Sequence, residues 1–449
     1  MTKLLSTMYI KKIEIKNIRS IEYFTMSFPE GREAGWHVLI GDNGAGKSSI
    51  VRSIAAVLVG PEQIGAALQV WEEWLTKGQN EGLIELLLRP DLKIDQQGRG
   101  QPTGKNISAR FLLKRNGRVT LETNINNKHL SPRNYNWGDN PGWFSVAYGP
   151  FRRFTGGDPR WSKVYFSAPK AGAHLSVFGE DIALTEALDW LKELDRRRLK
   201  EKEPQPTGSA QEPESAYRSG SGDMLNWLKT FLNGGLLPHD TRFKHIDIDG
   251  DPVFEDGNGQ EIKVTQLSDG FRSVLSLLFE LMRQLVETYG AQKVFGNIQK
   301  GQYDIPLPGV VLIDEIDAHL HPSWQTRIGQ WFTHYFPQLQ FIVTTHSPLI
   351  CRAAEKGSIW RLAAPGSKHR SGPVTGEDKD KLVYGDVLDA YETDVFGEKI
   401  TRGKEGLEKQ EEYRQLVYKE NYGLKMSAPE KHRLKYLKSI FHTDVATDK

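Results

Sequence analysis

The chain has 449 residues, which is enough for a large hydrophobic core and two lobes or domains. Its 59 Lys and Arg residues against 57 Asp and Glu residues give a formal net charge of +2, which excludes a global charge excess as the basis for binding nucleic acid or a membrane. The single cysteine excludes an internal disulfide, and the lack of a signal peptide or of any run near the ~18 apolar residues of a membrane span favours a soluble cytoplasmic protein.

Three strands are predicted at the start of the chain. Residues 9–15 alternate apolar and charged side chains, residues 21–28 do so more loosely, and residues 36–40 form a short apolar run typical of a buried strand. We expect the first two to pair antiparallel and to lead into the third within one sheet.

A phosphate-binding loop is predicted at residues 41–49, which read Gly-Asp-Asn-Gly-Ala-Gly-Lys-Ser-Ser and fit the pattern G-x-x-x-x-G-K-[ST]. Its glycines let backbone N–H groups turn inward around a polyphosphate, and the helical run at 50–58 directs its positive end at the anion. Lys47 is expected to reach the β- and γ-phosphates, and Ser48 to ligate Mg²⁺. The residues assigned to the nucleotide here are Gly41, Asn43, Gly44, Gly46, Lys47, Ser48 and Ser49.

The next part of the chain is predicted to be helical and polar up to Leu92, followed by a Gly- and Gln-rich turn at 96–104. Strands at 107–114 and 118–124 then flank Arg115-Asn116-Gly117, which is a hairpin signal.

Arginines in two turns each have two interpretations. Arg19 either stacks on a nucleotide base or is an ordinary exposed turn residue. Residues 144–153 form an apolar strand that breaks into a glycine turn carrying Arg152 and Arg153, and this turn either lies beside the nucleotide or is a strand end with solvated arginines.

A segment of different character follows from about residue 162. Residues 181–200 favour a charged helix, 203–222 are rich in Pro, Ser, Gly and Glu and predict a flexible linker, and 224–232 favour a short helix. The run Arg196-Arg197-Arg198 faces either nucleic acid phosphates or solvent at a helix end. Residues 243–255 and 261–264 predict strands with Asp- and Gly-rich turns, whose spacing does not fit a calcium loop.

Several further candidate site residues are predicted after residue 266. Ser268 can cap the apolar helix that continues through 274–282. Residues 309–315 form a buried strand, expected beside the phosphate loop, that ends in Asp314 for the magnesium shell and Glu315 for the attacking water.

A further strand at 340–345 follows an amphipathic helix at 324–335 and delivers His346 to the same edge as an orienting group for the γ-phosphate. His319 and His321 lack the third ligand that a zinc site needs, and the apolar surroundings of Cys351 favour a buried thiol over a nucleophile.

The ordered set of phosphate loop, Leu267-Ser268-Asp269-Gly270, Asp314-Glu315, His319-Leu320-His321-Pro322 and Thr345-His346-Ser347-Pro348 resembles the ABC-type ATPases of the RecF, Rad50 and SMC class. It looks closest to the compact bacterial branch with OLD-family proteins and the PtuA-type ATPase subunits of Septu and retron antiphage systems. The resemblance covers about residues 9–60, 143–153 and 264–362, with the Tyr148 segment as the counterpart of the Q-loop.

This resemblance implies a head-to-head dimer in which Ser268 and Gly270 complete the nucleotide site of the opposite protomer and Asp317 lies in the loop that links the two sites. It implies ATP and Mg²⁺ as ligands, with Lys47, Glu315 and His346 as catalytic residues and Ser48 and Asp314 as metal ligands. Asp269 and Phe271 depart from the transporter-type signature, and no Gln stands in the Tyr148 segment. The insert is too short for a long coiled coil.

The predicted fold is a doubly wound α/β ABC-ATPase head with an antiparallel side sheet, a helical insert and a helical tail. Its domains are lobe I (1–155), the insert (156–240), lobe II (241–396) and the tail (397–449). Helices at 407–422 and 429–441 are expected either to contact a partner, another protomer or nucleic acid, or to form a solvated cap. Residues 368–449 show no convincing acidic metal cluster beyond Asp378 and Asp380, so an intrinsic nuclease is not expected.

The leading functional hypothesis is an ATP-hydrolysing sensor or control subunit of a bacterial defence complex with a separate nuclease, of HNH type by resemblance. One alternative is a repair ATPase that clamps DNA directly. Another is a scaffold in which ATP is bound structurally and turned over slowly.

Overall fold

A computed structural model describes these parts of the chain: residues 9–67, 69–90, 105–123, 131–134, 136–137, 144–152, 158, 160–179, 182, 184–202, 221–234, 237, 240–297, 302, 304–364, 366, 370–391, 393, 395 and 404–441. The chain divides into two compact units, residues 1–384 and 385–449. Within the described ranges, no helix combines the length and the apolar character needed to cross a membrane.

The strands fall into three sheets. In chain order they are β1 (Tyr9–Ile18), β2 (Ile21–Ser27), β3 (Gly35–Gly41), β4 (Glu81–Arg89), β5 (Ile107–Asn116), β6 (Arg118–Glu122), β7 (Ser145–Tyr148), β8 (Arg242–Ile246), β9 (Pro252–Glu255), β10 (Glu261–Lys263), β11 (Gly309–Ile313), β12 (Leu339–Thr345), β13 (Ser358–Leu362) and β14 (Gly372–Val374).

Twelve helices are described along the chain. They are α1 (Lys47–Val59), α2 (Arg160–Ser167), α3 (Pro169–His174), α4 (Thr185–Lys202), α5 (Ser221–Leu232), α6 (Asp269–Tyr289), α7 (Ala291–Val294), α8 (Pro322–Tyr335), α9 (Gly376–Tyr384), α10 (Val387–Tyr391), α11 (Lys404–Asn421) and α12 (Ala428–Ile440).

The central sheet has six strands in the order β14-β13-β3-β12-β11-β7, and all but the edge strand β14 run parallel. β11 and β12 are buried along their whole length, as expected for strands covered on both faces. The carboxyl ends of β3, β7, β11 and β12 therefore meet at one edge. The expectation that β11 lies directly beside the phosphate-loop strand is wrong, because β12 separates β11 from β3.

The second sheet is antiparallel, in the order β2-β1-β4-β5-β6. The predicted pairing of the first two strands and the hairpin at Gly117 are confirmed, but the expectation that they share a sheet with β3 is wrong. The helical interpretation before Leu92 is also wrong, since Glu81–Arg89 is a strand with alternating burial. Its run Leu86-Leu87-Leu88 concealed that alternation because apolar residues occupy both faces.

Helix α1 is enclosed by the two larger sheets. It contacts β4, β1 and β5 on one side and β12, β7, β11 and β3 on the other. Residues from Ile50 to Val59 are buried all round the helix, except for Arg52. A helix that is apolar on every face needs such an enclosure, so α1 fixes the separation of the sheets and the place of the phosphate loop.

The smaller elements match the expected turns and helices. The helices predicted at 181–200 and 224–232 correspond to α4 and α5, while the linker at 203–222 lies almost wholly outside the described residues. β8, β9 and β10 form a three-stranded antiparallel sheet, in which the Asp247 carboxylate accepts the N–H groups of Asp249 and Asp251 in the first turn.

The two predicted tail helices are confirmed as α11 and α12. They pack through Tyr413, Leu416, Leu434, Leu437 and Phe441, which form a small core of their own. Arg433 pairs with Glu412 across the hairpin at 2.8 Å. This local core gives residues 404–441 the character of a separate folding element.

A buried histidine holds the phosphate-loop strand in place. His37 of β3 donates through Nε2 to the Glu33 carbonyl at 2.8 Å, and its Nδ1 lies 2.9 Å from the Ser358 hydroxyl of β13. The ring is 1% exposed and meets Phe28 edge-on. Burial lowers its pKa from 6.5 to about 4.

We expect this histidine to destabilise the fold as pH falls. Because its pKa is lower in the folded state, the unfolded chain binds the proton more readily, and stability present above pH 6.5 is lost as pH falls towards 4. His37→Gln should cost less unfolding free energy at pH 4.8 than at pH 7.0, by about 2 kcal/mol, in denaturant titrations. The exposed His334→Gln is the matched control, and an equal cost at both pH values would contradict the prediction.

Candidate nucleotide site

The phosphate loop leaves the start of α1 open to an anion. Gly44 and Gly46 have φ values of 78° and 93°, in the left-handed region that glycine adopts without strain. Gly46 occupies the N-cap position of α1 and supplies no side-chain cap. The first N–H groups of the helix are therefore available to a phosphate, and the helix dipole adds to the attraction.

Lys47 lies at the mouth of this loop. Its Nζ donates to the carbonyl oxygens of Gly41 at 2.7 Å and Asp42 at 2.9 Å, and it lies 3.4 Å from Nδ1 of His346. The side chain is 5% exposed, and burial lowers its pKa, while the nearby carboxylates led by Glu315 and Asp314 oppose that change. The structure thus brings together the predicted phosphate ligand and the predicted γ-phosphate sensor.

Asp314 is held by a threonine of the next strand. Its carboxylate, 1% exposed, accepts a 2.6 Å hydrogen bond from the Thr344 hydroxyl, which in turn accepts the Glu315 N–H at 2.7 Å. Thr344 was not among the residues predicted for the site. The parallel register that pairs Ile313 with Val343 places the next residues side by side, so a threonine at that point of an apolar strand was the available signal.

The loop after β11 carries two residues in the left-handed region, Glu315 at φ 47° and His319 at φ 64°. Asp317, between them, accepts a 2.6 Å bond from the Thr345 hydroxyl and the His346 N–H at 3.4 Å. Non-glycine residues in this region cost about 1 to 3 kcal/mol each and persist where their surroundings hold them. The loop is therefore tied to the end of β12.

Of the two alternatives for the arginines after β7, the solvated one is wrong for Arg152, which is 5% exposed, while Arg153 lies outside the described residues. The guanidinium donates to backbone carbonyls around the site and to one hydroxyl of α6. Its acceptors are Gly149 O (3.1 Å), Asp314 O (2.9 Å), Glu315 O (3.0 Å), Ile316 O (3.4 Å) and Ser273 Oγ (2.9 Å). Burial lowers the pKa of Arg152 to about 10, and the field of Asp314 opposes this.

The signature residues, which are residues 267–270, lie at the start of α6. Ser268 is the N-cap residue, but its hydroxyl makes no capping bond, so the predicted side-chain cap is wrong. Ser268 is exposed, which leaves its hydroxyl and the helix N-terminus facing away from the core. The helix of 21 residues thus presents an uncapped positive end at the surface.

The residues that depart from the usual signature, Asp269 and Phe271, make contacts within this chain. Asp269 pairs with Arg272 one turn later, and the Phe271 ring lies 4.9 Å from Trp324 of α8. A Cβ at Gly270 would lie 2.5 Å from the His319 carbonyl oxygen, so only glycine allows this approach. The start of α6 is therefore packed against the loop that follows β11.

The other arginines and histidines singled out by sequence have structural contacts. The Arg19 guanidinium lies 4.9 Å from the centre of the Trp74 ring, and burial lowers its pKa, so it is not an ordinary exposed residue. Arg196 and Arg197 both pair with Glu193 on α4. His321 caps α8 by accepting the Ser323 N–H at 3.3 Å.

These residues fit a magnesium nucleotide. The loop offers backbone N–H donors and an ammonium group to phosphate, while the Ser48 hydroxyl and the Asp314 carboxylate are the oxygen ligands that Mg²⁺ prefers. Thr344 engages one carboxylate oxygen of Asp314. This set of donors and acceptors is compatible with the roles predicted for Lys47, Ser48 and Asp314.

Comparisons with known proteins relate this chain to ATPase families. The chain matches the family described as "AAA domain, putative AbiEii toxin, Type IV TA system" over residues 37–352 and an AAA ATPase domain over residues 8–63. The Septu protein PtuA of Bacillus mycoides (strain KBAB4) is 26% identical over 360 residues, which are 78% of this chain and 40% of that protein. The Septu protein PtuA of Bacillus thuringiensis is 29% identical over 215 residues, 45% of this chain and 52% of that protein.

The Retron Vc95 probable ATPase of Vibrio cholerae serotype O1 biovar El Tor is 42% identical over 125 residues, 27% of this chain and 21% of that protein. This chain therefore spans between 21% and 52% of the length of these three relatives. The resemblance to PtuA-type and retron ATPases is confirmed.

Solved structures of ATPase heads are also similar in part. An SMC head bound to the C-winged helix domain of ScpA has a TM-score of 0.45 at 16% identity, over 82% of this chain and 97% of that chain. RecF with ATP has a TM-score of 0.40 at 14% identity, over 82% and 99%. Because the family match over residues 37–352 takes in the phosphate loop, the signature and the ends of β11 and β12, the chain belongs to this AAA domain family.

Proposed function

We propose that this protein is a magnesium-dependent ATPase that acts in the cytoplasm as the control subunit of an antiphage defence complex. The observation that carries the ATPase assignment is the convergence of Lys47, Asp314 and His346 at one sheet edge, with Thr344 bonded to both Asp314 and Glu315. The relatives named Septu protein PtuA and retron ATPase support the defence assignment.

Different residues of this chain have different roles in hydrolysis. Lys47 and the uncapped start of α1 bind the phosphates, and His346, 3.4 Å from the Lys47 amine, contacts the γ-phosphate. Glu315 takes up the proton of the attacking water as a general base. Ser48 and Asp314 would hold Mg²⁺, whose charge neutralises phosphate oxygens.

The second half of the site belongs to another copy of the chain. Ser268 is exposed at the uncapped N-terminus of α6, where hydroxyl and backbone donors are free to meet phosphates of a facing protomer. We propose that Ser268 and Gly270 complete the partner's nucleotide site and that Asp317 links the two sites. ATP then joins the two heads.

Lys47→Ala and Glu315→Gln should separate binding from chemistry. We expect Lys47→Ala to abolish binding of a fluorescent ATP analogue, because it removes the phosphate ligand. Glu315→Gln should leave that binding intact and lower kcat by about 100-fold or more, because the amide cannot accept the proton. Steady-state turnover and analogue titration measure both effects.

Lys356→Ala and Glu355→Gln, which change two exposed residues, are the matched controls and should behave as wild type. A Glu315→Gln protein that hydrolyses ATP at the wild-type rate would contradict the assignment of the base and favour a scaffold with slow turnover.

Mixing two inactive proteins tests whether the site is shared. Ser268→Glu places a negative charge against the partner's phosphates, so this variant and Lys47→Ala should each be inactive alone. An equal mixture should recover about a quarter of wild-type turnover, because half of the pairs contain one intact site out of two. Thr265→Glu, also exposed, controls for added charge, and a mixture as inactive as its components would rule out a shared site.

The defence assignment predicts a second kind of subunit. Tagged protein purified from its native operon should carry a nuclease, of HNH type by our proposal, in fixed ratio, and native mass spectrometry with and without ATP should show a nucleotide-dependent assembly. A homo-oligomer that retains DNA, with binding that weakens steeply as salt increases, would instead favour a DNA-clamping ATPase.

A further inference from the structure

Arg152 is a buried cation that the hydrolytic steps above do not use. It stands in the segment that corresponds to the Q-loop, where no glutamine is present. Among the described residues it forms no ion pair, and its hydrogen bonds run to four backbone carbonyls and the Ser273 hydroxyl. Burying such a charge is unfavourable unless all its donors are satisfied, so its placement needs an explanation.

All five N–H groups of the guanidinium have an acceptor. Nε donates to Ser273, the two Nη1 hydrogens serve Gly149 and Asp314, and the two Nη2 hydrogens serve Glu315 and Ile316. No donor is left for a phosphate. The geometry therefore argues against a direct contact with the nucleotide and for an action through the loop that Arg152 binds.

The loop that Arg152 binds contains Glu315, one of its two residues with a left-handed backbone. Glu315 has a φ of 47°, its N–H donates to Thr344 at 2.7 Å, and its carbonyl accepts from Arg152 at 3.0 Å. Both peptide groups that flank the Glu315 side chain are thus held from outside the loop. A left-handed non-glycine residue persists only while such contacts hold it, so loss of Arg152 frees the backbone that aims the carboxylate.

We propose that Arg152 is a positioning residue for ATP hydrolysis, which fixes the backbone of Glu315 and joins the loop after β11 to the first turns of α6 through Ser273. This inference rests on the role of Glu315 given under the proposed function. It assigns to an arginine with no nucleotide contact the task of keeping the general base and the signature helix in one arrangement.

The test compares Arg152→Gln and Arg152→Lys with the double variant Arg152→Gln/Glu315→Gln. We expect Arg152→Gln to lower kcat about 10- to 100-fold, with KM and the Kd of a fluorescent ATP analogue within about twofold of wild type. Arg152→Lys should restore part of kcat, because its ammonium keeps three donors for the same carbonyls. The exposed Arg118→Gln is the matched control.

The double variant tells whether Arg152 acts through Glu315. In the Glu315→Gln background, removal of Arg152 should cost no further turnover, because the base is already absent. An equal cost in both backgrounds would overturn the proposal, and so would loss of analogue binding in Arg152→Gln.

The same variants distinguish failure of the positioning role from failure of the proposed ATPase mechanism. If Glu315→Gln has a low kcat but Arg152→Gln has the wild-type kcat, only the positioning role of Arg152 is overturned. If Glu315→Gln keeps the wild-type kcat, both the assignment of the base and this inference are overturned. If Arg152→Gln fails to fold in thermal unfolding, Arg152→Lys decides: reduced kcat at unchanged Kd supports the proposal, and full kcat overturns it.

Discussion

The site depends on one hydroxyl group that is bonded on two sides. Thr344 donates to the Asp314 carboxylate and accepts the Glu315 N–H, so the end of β12 fixes both acidic residues at the end of β11. Neither bond would form without the parallel register of the two strands, since a shift of one residue turns the threonine to the opposite face. Asp314 and Glu315 thus owe their positions to sheet pairing, which is itself buried and hard to disturb.

A second set of contacts joins that strand end to the signature helix. Gly270 lies against the His319 carbonyl, Phe271 packs on Trp324, and Arg152 bonds to the strand loop and to α6 together. A packed interface of this kind transmits a displacement because its side chains have few alternative arrangements. The loop after β11 and the start of α6 are therefore expected to move together as one packed body.

The sequence predicted the parts of this protein whose signals are local. The phosphate loop and the ends of the buried strands were identified because glycine spacing and apolar runs report the backbone directly. The β4 strand was missed because apolar residues on both faces hide a period of two. The solvated alternative for Arg152 failed because four of its five acceptors, three carbonyls after β11 and the Ser273 hydroxyl, belong to residues more than a hundred positions away, and no local pattern encodes them. The register that makes Thr344 important is likewise a property of paired strands, not of either strand alone.

The single cysteine has a practical consequence. Cys351 lies in the short turn after β12, is fully buried, and has a pKa raised by that burial, so its thiolate is scarce at neutral pH. No other cysteine occurs in the sequence. A cysteine introduced at an exposed position, such as Tyr422 beyond α11, would thus be the preferred target of maleimide dyes in the otherwise unaltered chain. Fluorescence distance measurements between labelled copies would then need no cysteine-free background.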